Sequence, residues 1–280
     1  MRALSFLTRA YPAATLVLML LGPLALMLTL SVFEASGRFG FVPTFTGENY
    51  LKFWDSLYFR LTWRSIWMTG LASALVVSVM FPALLIITGL SRRWQVFWIM
   101  LLLSLLCMSE VVIGYSWKLL LLKSTGVPGW LEAANLLNDA ESWDQSHGAV
   151  QLGLFTLGVS IAGLLMFPQV AGRDRSLEEA AQTLGTPPWQ VFWTVHVPAY
   201  TTTLISTFVA LYVYLLGAYS VIRLLGSKSE HQTLVWRIFD LAREYHGKPT
   251  AAALATILLI VTGLLLLIPY LITRLRGHDA

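Results

Sequence analysis

Ser176–Pro198 reads SLEEAAQTLGTPPWQVFWTVHVP, a polar, helix-coded insert in an otherwise very apolar chain. Ser176 can act as an N-cap while Glu179, three positions on, reaches back to its backbone N–H. Leu177, Ala180, Ala181 and Leu184 then supply an apolar face. Gly185 ends that helix. Thr186 can cap a second one, Pro187 suits its first position, and Trp189, Phe192, Trp193 and His196 recur at i, i+3, i+4 and i+7. The stretch predicts two short helices joined at a glycine, a knob whose apolar residues face water unless something covers them. On caps and apolar faces alone, an ordinary turn with no partner fits equally well.

The rest of the chain is membrane material. Of 280 residues, 56% are hydrophobic and 12% charged, with mean hydropathy +0.68; soluble domains carry roughly 25% charged residues. The formal net charge of +4 and pI near 9.3 report topology and lipid contact on such a protein, so nucleic-acid binding is set aside. Cys107, the single cysteine, sits in an apolar run, is expected to be a small buried hydrophobe and can form no intrachain disulfide.

Six apolar runs predict an all-α polytopic membrane protein without a linker to divide it: 12–33, 65–90, 95–122, 149–170, 204–222 and 251–272. The first is longer than a signal-peptide core and reads as a retained span. Glycines 153, 158 and 163 in the fourth span allow close helix packing. Three segments between spans are polar, with short helices expected after Glu48-Asn49-Tyr50, over 130–137 and over 234–242. Six spans put both termini on one side, together with the Arg92-Arg93 turn and the 174–198 insert. Total Lys and Arg are higher on the opposite side, but the denser basic charge next to span ends places both termini and the insert in the cytoplasm.

Motifs for chemistry are missing from the sequence. There is no G-x-x-x-x-G-K-[ST] to cradle nucleotide phosphates and no G-x-S-x-G elbow, and the five histidines show no metal-ligand spacing. The chain is therefore read as neither an enzyme nor a metalloprotein. Glu110 is the carboxylate of the apolar runs, and an ionisable group there is either hydrogen-bonded to a neighbouring helix or part of a transport path. Tyr115, Trp117 and Lys118 follow it, and the fifth run supplies Tyr212 and Tyr219 seven residues apart. Aromatic faces beside a carboxylate suit an alkyl-ammonium, whereas Lys118, two turns on, argues for a structural pair. The candidate substrate path is Glu110, Tyr115, Trp117, Tyr212 and Tyr219.

Glu179-Ala180-Ala181, then Gly185, Phe192, Val195, Val197 and Pro198, resemble the EAA loop of the inner-membrane permease subunits of bacterial ABC importers. Valines replace commoner isoleucine and leucine, and Thr202 stands where a further proline often follows. Glu48-Asn49-Tyr50 and the Gly114-Tyr115-Ser116-Trp117 stretch look most like permeases of the spermidine/putrescine type. The resemblance implies a six-helix permease domain over 1–280, in a bacterial inner membrane, moving a polyamine or similar organic cation by alternating access. It implies an ATPase-coupling surface at Glu178, Glu179, Ala180, Ala181, Leu184, Gly185, Phe192 and Pro198. The implied partners are two copies of a cytoplasmic ABC ATPase that carries the ATP and Mg²⁺, a second permease of the same kind, an external substrate-binding protein, and membrane lipid. Open alternatives are an ABC permease for ferric iron, an opine or an amino-acid-like solute, and an ion-coupled secondary transporter; the matching broken halves of many secondary transporters are not seen.

Overall fold

The computed structural model describes residues 2–36, 40–139, 141–173, 176, 183, 185–226 and 232–276, with side chains described from residue 15 to residue 267. The chain divides into two compact units that no compositional boundary announces, one of Met1–Thr62 with Leu234–Val261, the other of Trp63–Thr233 with Thr262–Ala280.

In the first unit, helix α1 (Arg2–Ser31) leads into a two-stranded antiparallel ribbon, β1 (Phe33–Glu34) and β2 (Val42–Phe45). The ribbon is a small departure from the all-α expectation. Helix α2 (Glu48–Leu51) follows, closed by a 3₁₀ turn at Lys52–Trp54. Asn49 explains why this polar stretch is ordered. Its buried amide donates to the carbonyls of Ser31 (3.2 Å) and Phe33 (2.7 Å), and its oxygen accepts from the Thr250 hydroxyl (3.2 Å). A buried polar group satisfied on every side fixes one geometry, and losing it would strand several partners. Helix α11 (Leu234–Arg243) forms where a short helix is expected, but it buries Leu234, Trp236 and Leu241 rather than the face of Leu234, Val235, Ile238, Phe239 and Ala242, and Phe239 is exposed. Leu234 and Leu241 join Tyr58, Ala251 and Leu254 in one apolar cluster.

The second unit is organised on α7 (His147–Ala171), which buries eleven residues. Around it lie α3 (Ser56–Gly89), α4 (Arg92–Cys107), α5 (Glu110–Leu121), α6 (Val127–Ala133), a segment α8 (Pro188–Ala199), α9 (Thr201–Leu216) and α10 (Ser220–Leu225). The glycines of α7 face different neighbours, as their spacing of five allows. A Cβ on Gly153 would strike Val221 and Leu225 of α10; one on Gly158 would lie 2.8 Å from Val76 of α3; one on Gly163 would lie 2.6 Å from Leu102 of α4. Gly158→Leu is therefore expected to destabilise by about 1–3 kcal/mol or more through overpacking. Gly22→Leu in α1, where nothing lies within 4 Å, should be nearly neutral. Thermal midpoints of the two purified variants check this, and equal midpoints would refute the packing account.

The predicted runs correspond to α1, α3, α4 with α5, α7, α9 with α10, and α12 (Lys248–Arg276). Among the described residues three helices are by themselves long and apolar enough to cross a membrane, and up to five spans result if each bent pair counts as one. The run 95–122 is not one straight helix: α4 and α5 meet at a 96° bend. Ser109 caps α5, its hydroxyl accepting from the Val111 N–H at 3.3 Å, and stops α4 from propagating. The run 204–222 likewise breaks between Leu216 and Ser220. In contrast, α3 runs on through Pro82, although a proline inside a helix removes one backbone hydrogen bond.

Candidate functional site

Two places carry the candidate residues. At the α4–α5 break, Glu110 is the first residue of α5 rather than the middle of a continuous span. The amide N–H groups of a helix's first turn and its dipole favour a negative charge there, so the carboxylate costs less than one at mid-span. It is half-buried and, among the described residues, has no hydrogen-bond or ion-pair partner. Lys118, in the last turn of α5, does not pair with it. Eight residues separate them, about 12 Å along a helix.

The aromatic candidates divide by what they touch. Tyr115 is 53% exposed and available. Trp117 is half-buried on the apolar cluster around α7, and its indole N–H donates to the Thr156 hydroxyl at 2.9 Å, which fixes α5 to α7. Tyr212 is buried; its hydroxyl donates to the Ile66 carbonyl at 3.2 Å and its ring stacks on Phe208. Both side chains are engaged in helix packing. Tyr219 caps α10 in the break after α9, so it does not share a helical face with Tyr212. Tyr214, which the sequence reading passed over, is the tyrosine of α9 that is part-exposed and within electrostatic reach of the Glu110 carboxylate. Ser109 before Glu110, a cap followed by an acid in the first turn, was the available signal for the helix start.

The second place is the insert. Glu178, Glu179, Ala180, Ala181 and Leu184 lie outside the described residues. Gly185 has φ +76°, the left-handed conformation that ends a helix at glycine. Pro187 stands one position before the helix proper, which starts at Pro188. A π turn over Phe192–His196 then shifts the period, so the expected single apolar face is split. Phe192 turns inward onto Phe81 (centroids 5.6 Å apart), whereas Trp189 and Trp193 remain exposed. Pro198 is exposed in the short helical segment that closes α8. No group of His, Cys, Asp and Glu able to hold a metal occurs among the described residues.

Apolar helices long enough to cross a bilayer and two sharply bent helix pairs fit a multi-pass membrane protein. The chain belongs to the family of binding-protein-dependent transport system inner membrane components, which matches residues 94–277. It is thus an ABC-importer permease subunit of the inner membrane, and the family is a membrane component rather than an enzyme. The chain is 24% identical over 215 residues to the spermidine/putrescine transport system permease protein PotB of Haemophilus influenzae, covering 75% of this chain and 74% of that protein. It is 27% identical over 139 residues to a probable sulfate transport system permease protein of Zygnema circumcarinatum, 46% of this chain and 48% of that one. The fold matches a bacterial ABC transporter involved in import of the acidic polysaccharide alginate, with TM-score 0.78 and 15% identity over 98% of this chain and 99% of that chain. A second structure of an alginate ABC transporter, in complex with an alginate pentasaccharide-bound periplasmic protein, matches with TM-score 0.78, 14% identity and 98% and 95% coverage.

Proposed function

We propose that this permease moves a small organic cation of the polyamine class. The observation that carries the reading is Glu110, a half-buried carboxylate with no cationic partner among the described residues, at the break of a spanning segment. Broken helices in transporters bring polar ends to the substrate, and an ammonium is what an unpaired carboxylate there would take. The likeness to the PotB permease supports the same class. Tyr115 and Tyr214 supply exposed aromatic rings from the same unit, and cation–π contacts contribute roughly 0.5–2 kcal/mol when desolvated.

The working assembly is two copies of a cytoplasmic ATPase, which hold ATP and Mg²⁺, a second permease of the same kind and an external binding protein. Both termini and the 174–198 insert are assigned to the cytoplasm, and the ATPase-coupling surface is assigned to the stretch that carries Glu178, Glu179, Ala180, Ala181, Leu184, Gly185 and Pro198, with Phe192 holding its base against Phe81. ATP drives transport only if the ATPase binds the two packings of the permease differently. A second reading has its own observation. Lys118 has no ion-pair partner among the described residues, and the α5 N-terminus is positive, so an anion such as sulfate or a uronate chain would also find partners.

The complex purified through this chain, with its binding protein, decides between them by ATPase stimulation in proteoliposomes. Stimulation by putrescine or spermidine is expected. Stimulation by sulfate or a uronate oligosaccharide instead would overturn the cation reading, and absence of a co-purifying ATPase would overturn the assembly.

A further inference from the structure

In the first unit an open hollow of about 470 Å³ is lined by the 3₁₀ turn after α2, the first turn of α3 and the link from α11 to α12. The link owes its shape to a glycine. The Gly247 N–H donates to the Glu244 carbonyl at 3.2 Å, and a Cβ there would strike the Leu241 carbonyl, so the chain turns tightly and brings Glu244, Tyr245 and His246 to the hollow. The His246 ring stands edge-on to Tyr245 at 4.9 Å.

Lys52 lines the same hollow, and its place follows from a chain of hydrogen bonds that can run in only one direction. The Asn49 amide nitrogen is spent on the carbonyls of Ser31 and Phe33, which leaves its oxygen to accept from the Thr250 hydroxyl; the Thr250 oxygen must then accept from the Lys52 ammonium, 3.2 Å away. Asn49 and Thr250 are buried, so an exposed ammonium sits on a fixed base. It has two N–H donors left and, among the described residues, no ion-pair partner. Tyr58 is 9% exposed with its ring in the apolar cluster of this unit, and its hydroxyl has no hydrogen-bond partner among the described residues.

Glu244 reaches the hollow without pairing with Lys52. Its carboxylate lies 3.4 Å from Arg237, which is also 3.6 Å from Asp240, so one guanidinium serves two carboxylates. One uncompensated cation and one partly compensated anion thus line a single cavity, each tied to its own base and kept from the other. A guest that carries both charges satisfies both.

We propose that this hollow binds a zwitterion, its anionic oxygens on Lys52 and Tyr58 and its ammonium on Glu244 beside the Tyr245 ring. Charge-assisted hydrogen bonds hold the two ends, and the ring adds a cation–π contact. The site is independent of the cargo reading. It lies where α3 and α12, two helices long enough to span, begin at Ser56 and Lys248, and Leu51, Trp54 and Phe59 are exposed on either side of Lys52. Apolar and tryptophan side chains of that kind settle at a bilayer surface. A phosphoethanolamine headgroup, with a phosphate and a primary ammonium on one short chain, is the membrane source of this chemistry; a free amino acid is the dissolved one.

The test uses the assembled permease complex in nanodiscs of phosphatidylcholine with equal minorities of phosphatidylethanolamine and phosphatidylglycerol, followed by native mass spectrometry. Wild type should retain one phosphatidylethanolamine per chain in preference to both others, because choline has no N–H for Glu244 and glycerol no charge. Glu244→Gln should lower that retention about tenfold, the scale of one lost charge-assisted hydrogen bond, and leave phosphatidylglycerol unchanged or raised. Lys52→Gln should lower retention of both. Calorimetry of free serine, on the same complexes in phosphatidylcholine alone, tests the dissolved source: serine binding weakened by both substitutions keeps the site and moves its occupant from the bilayer to the water. Phosphatidylglycerol held as well as phosphatidylethanolamine by wild type overturns the proposal in favour of a plain anion site. So do lipid retention and serine binding that Glu244→Gln leaves unmoved, or a wild type that prefers no lipid and binds no serine. Should Lys52→Gln fail to assemble, Tyr58→Phe, which keeps the ring in its cluster, tests the anionic end in its place.

Discussion

Gly185→Val is expected to abolish ATP-driven uptake while the protein still inserts and accumulates in the membrane. Gly185 has φ +76°, and a Cβ there would meet nothing within 4 Å, so any penalty comes from the backbone alone. An L-residue held in the left-handed region is strained by roughly 1–2 kcal/mol, more for a β-branched one. The cheapest escape is for the turn to open, which changes the direction in which the chain enters α8. This makes a graded series. Asparagine tolerates the left-handed region and should retain most uptake, alanine should be intermediate, and valine should be lost. Glu179→Lys, which removes the expected reciprocal cap with Ser176, should act in the same direction. Uptake in proteoliposomes, with ATPase co-purification on the same samples, gives the order. Equal uptake by the asparagine and valine variants would remove the hinge from the coupling account.

Regular features were readable from the sequence because each rests on a local rule. That α11 is a helix shows in the spacing of Leu234, Val235, Ile238 and Phe239, although the face it buries is Leu234, Trp236 and Leu241. The length of α7 follows from its apolar run, whereas α3 starts at Ser56, nine residues before the run expected at 65–90; the glycines of α7 do mark close contacts with three different helices. What escaped depended on competition between local rules. Nothing in Met108-Ser109 breaks a helix as glycine or proline would, yet a serine cap and an acid in the first turn were enough to start α5 afresh at a 96° bend. Pro82 was the opposite case, a breaker that neighbouring turns of an apolar helix overrode. The candidate path was legible only as composition. Which tyrosine of α9 is packed and which is part-exposed is decided by Tyr212 reaching the Ile66 carbonyl, a contact between residues far apart in sequence. The role of Asn49 was equally hidden, since its three partners come from the end of α1, from β1 and from α12.

Glu110→Gln is expected to lower uptake of the cation by one to two orders of magnitude, with complex assembly and basal ATP hydrolysis unchanged. Hydrogen bonds to a charged group contribute about 1.5–3 kcal/mol, and each 1.4 kcal/mol is tenfold. Glutamine keeps the size and the acceptor oxygen but gives up the charge. Because Glu110 begins α5 under a Ser109 cap, the helix itself survives the change; only the modest dipole contribution of an acid in the first turn is lost, about 0.3–1 kcal/mol. Glu110→Asp should keep the charge and recover part of the uptake, which a purely structural role would not predict. Tyr214→Phe gives a finer test, since it removes a hydroxyl near the carboxylate and preserves the ring; uptake should fall less than threefold if the ring face is what the cation meets. Tyr212→Phe should instead cost stability, through the lost bond to Ile66, with little effect on affinity for the cation. The measurement is initial uptake rate against cation concentration, so that affinity and maximal rate separate. Uptake unchanged in Glu110→Gln, or an anion established as the cargo with Lys118→Gln reducing its transport, would reassign the carboxylate to a dipole role in the first turn of α5 and move the substrate contact to the other end of that helix.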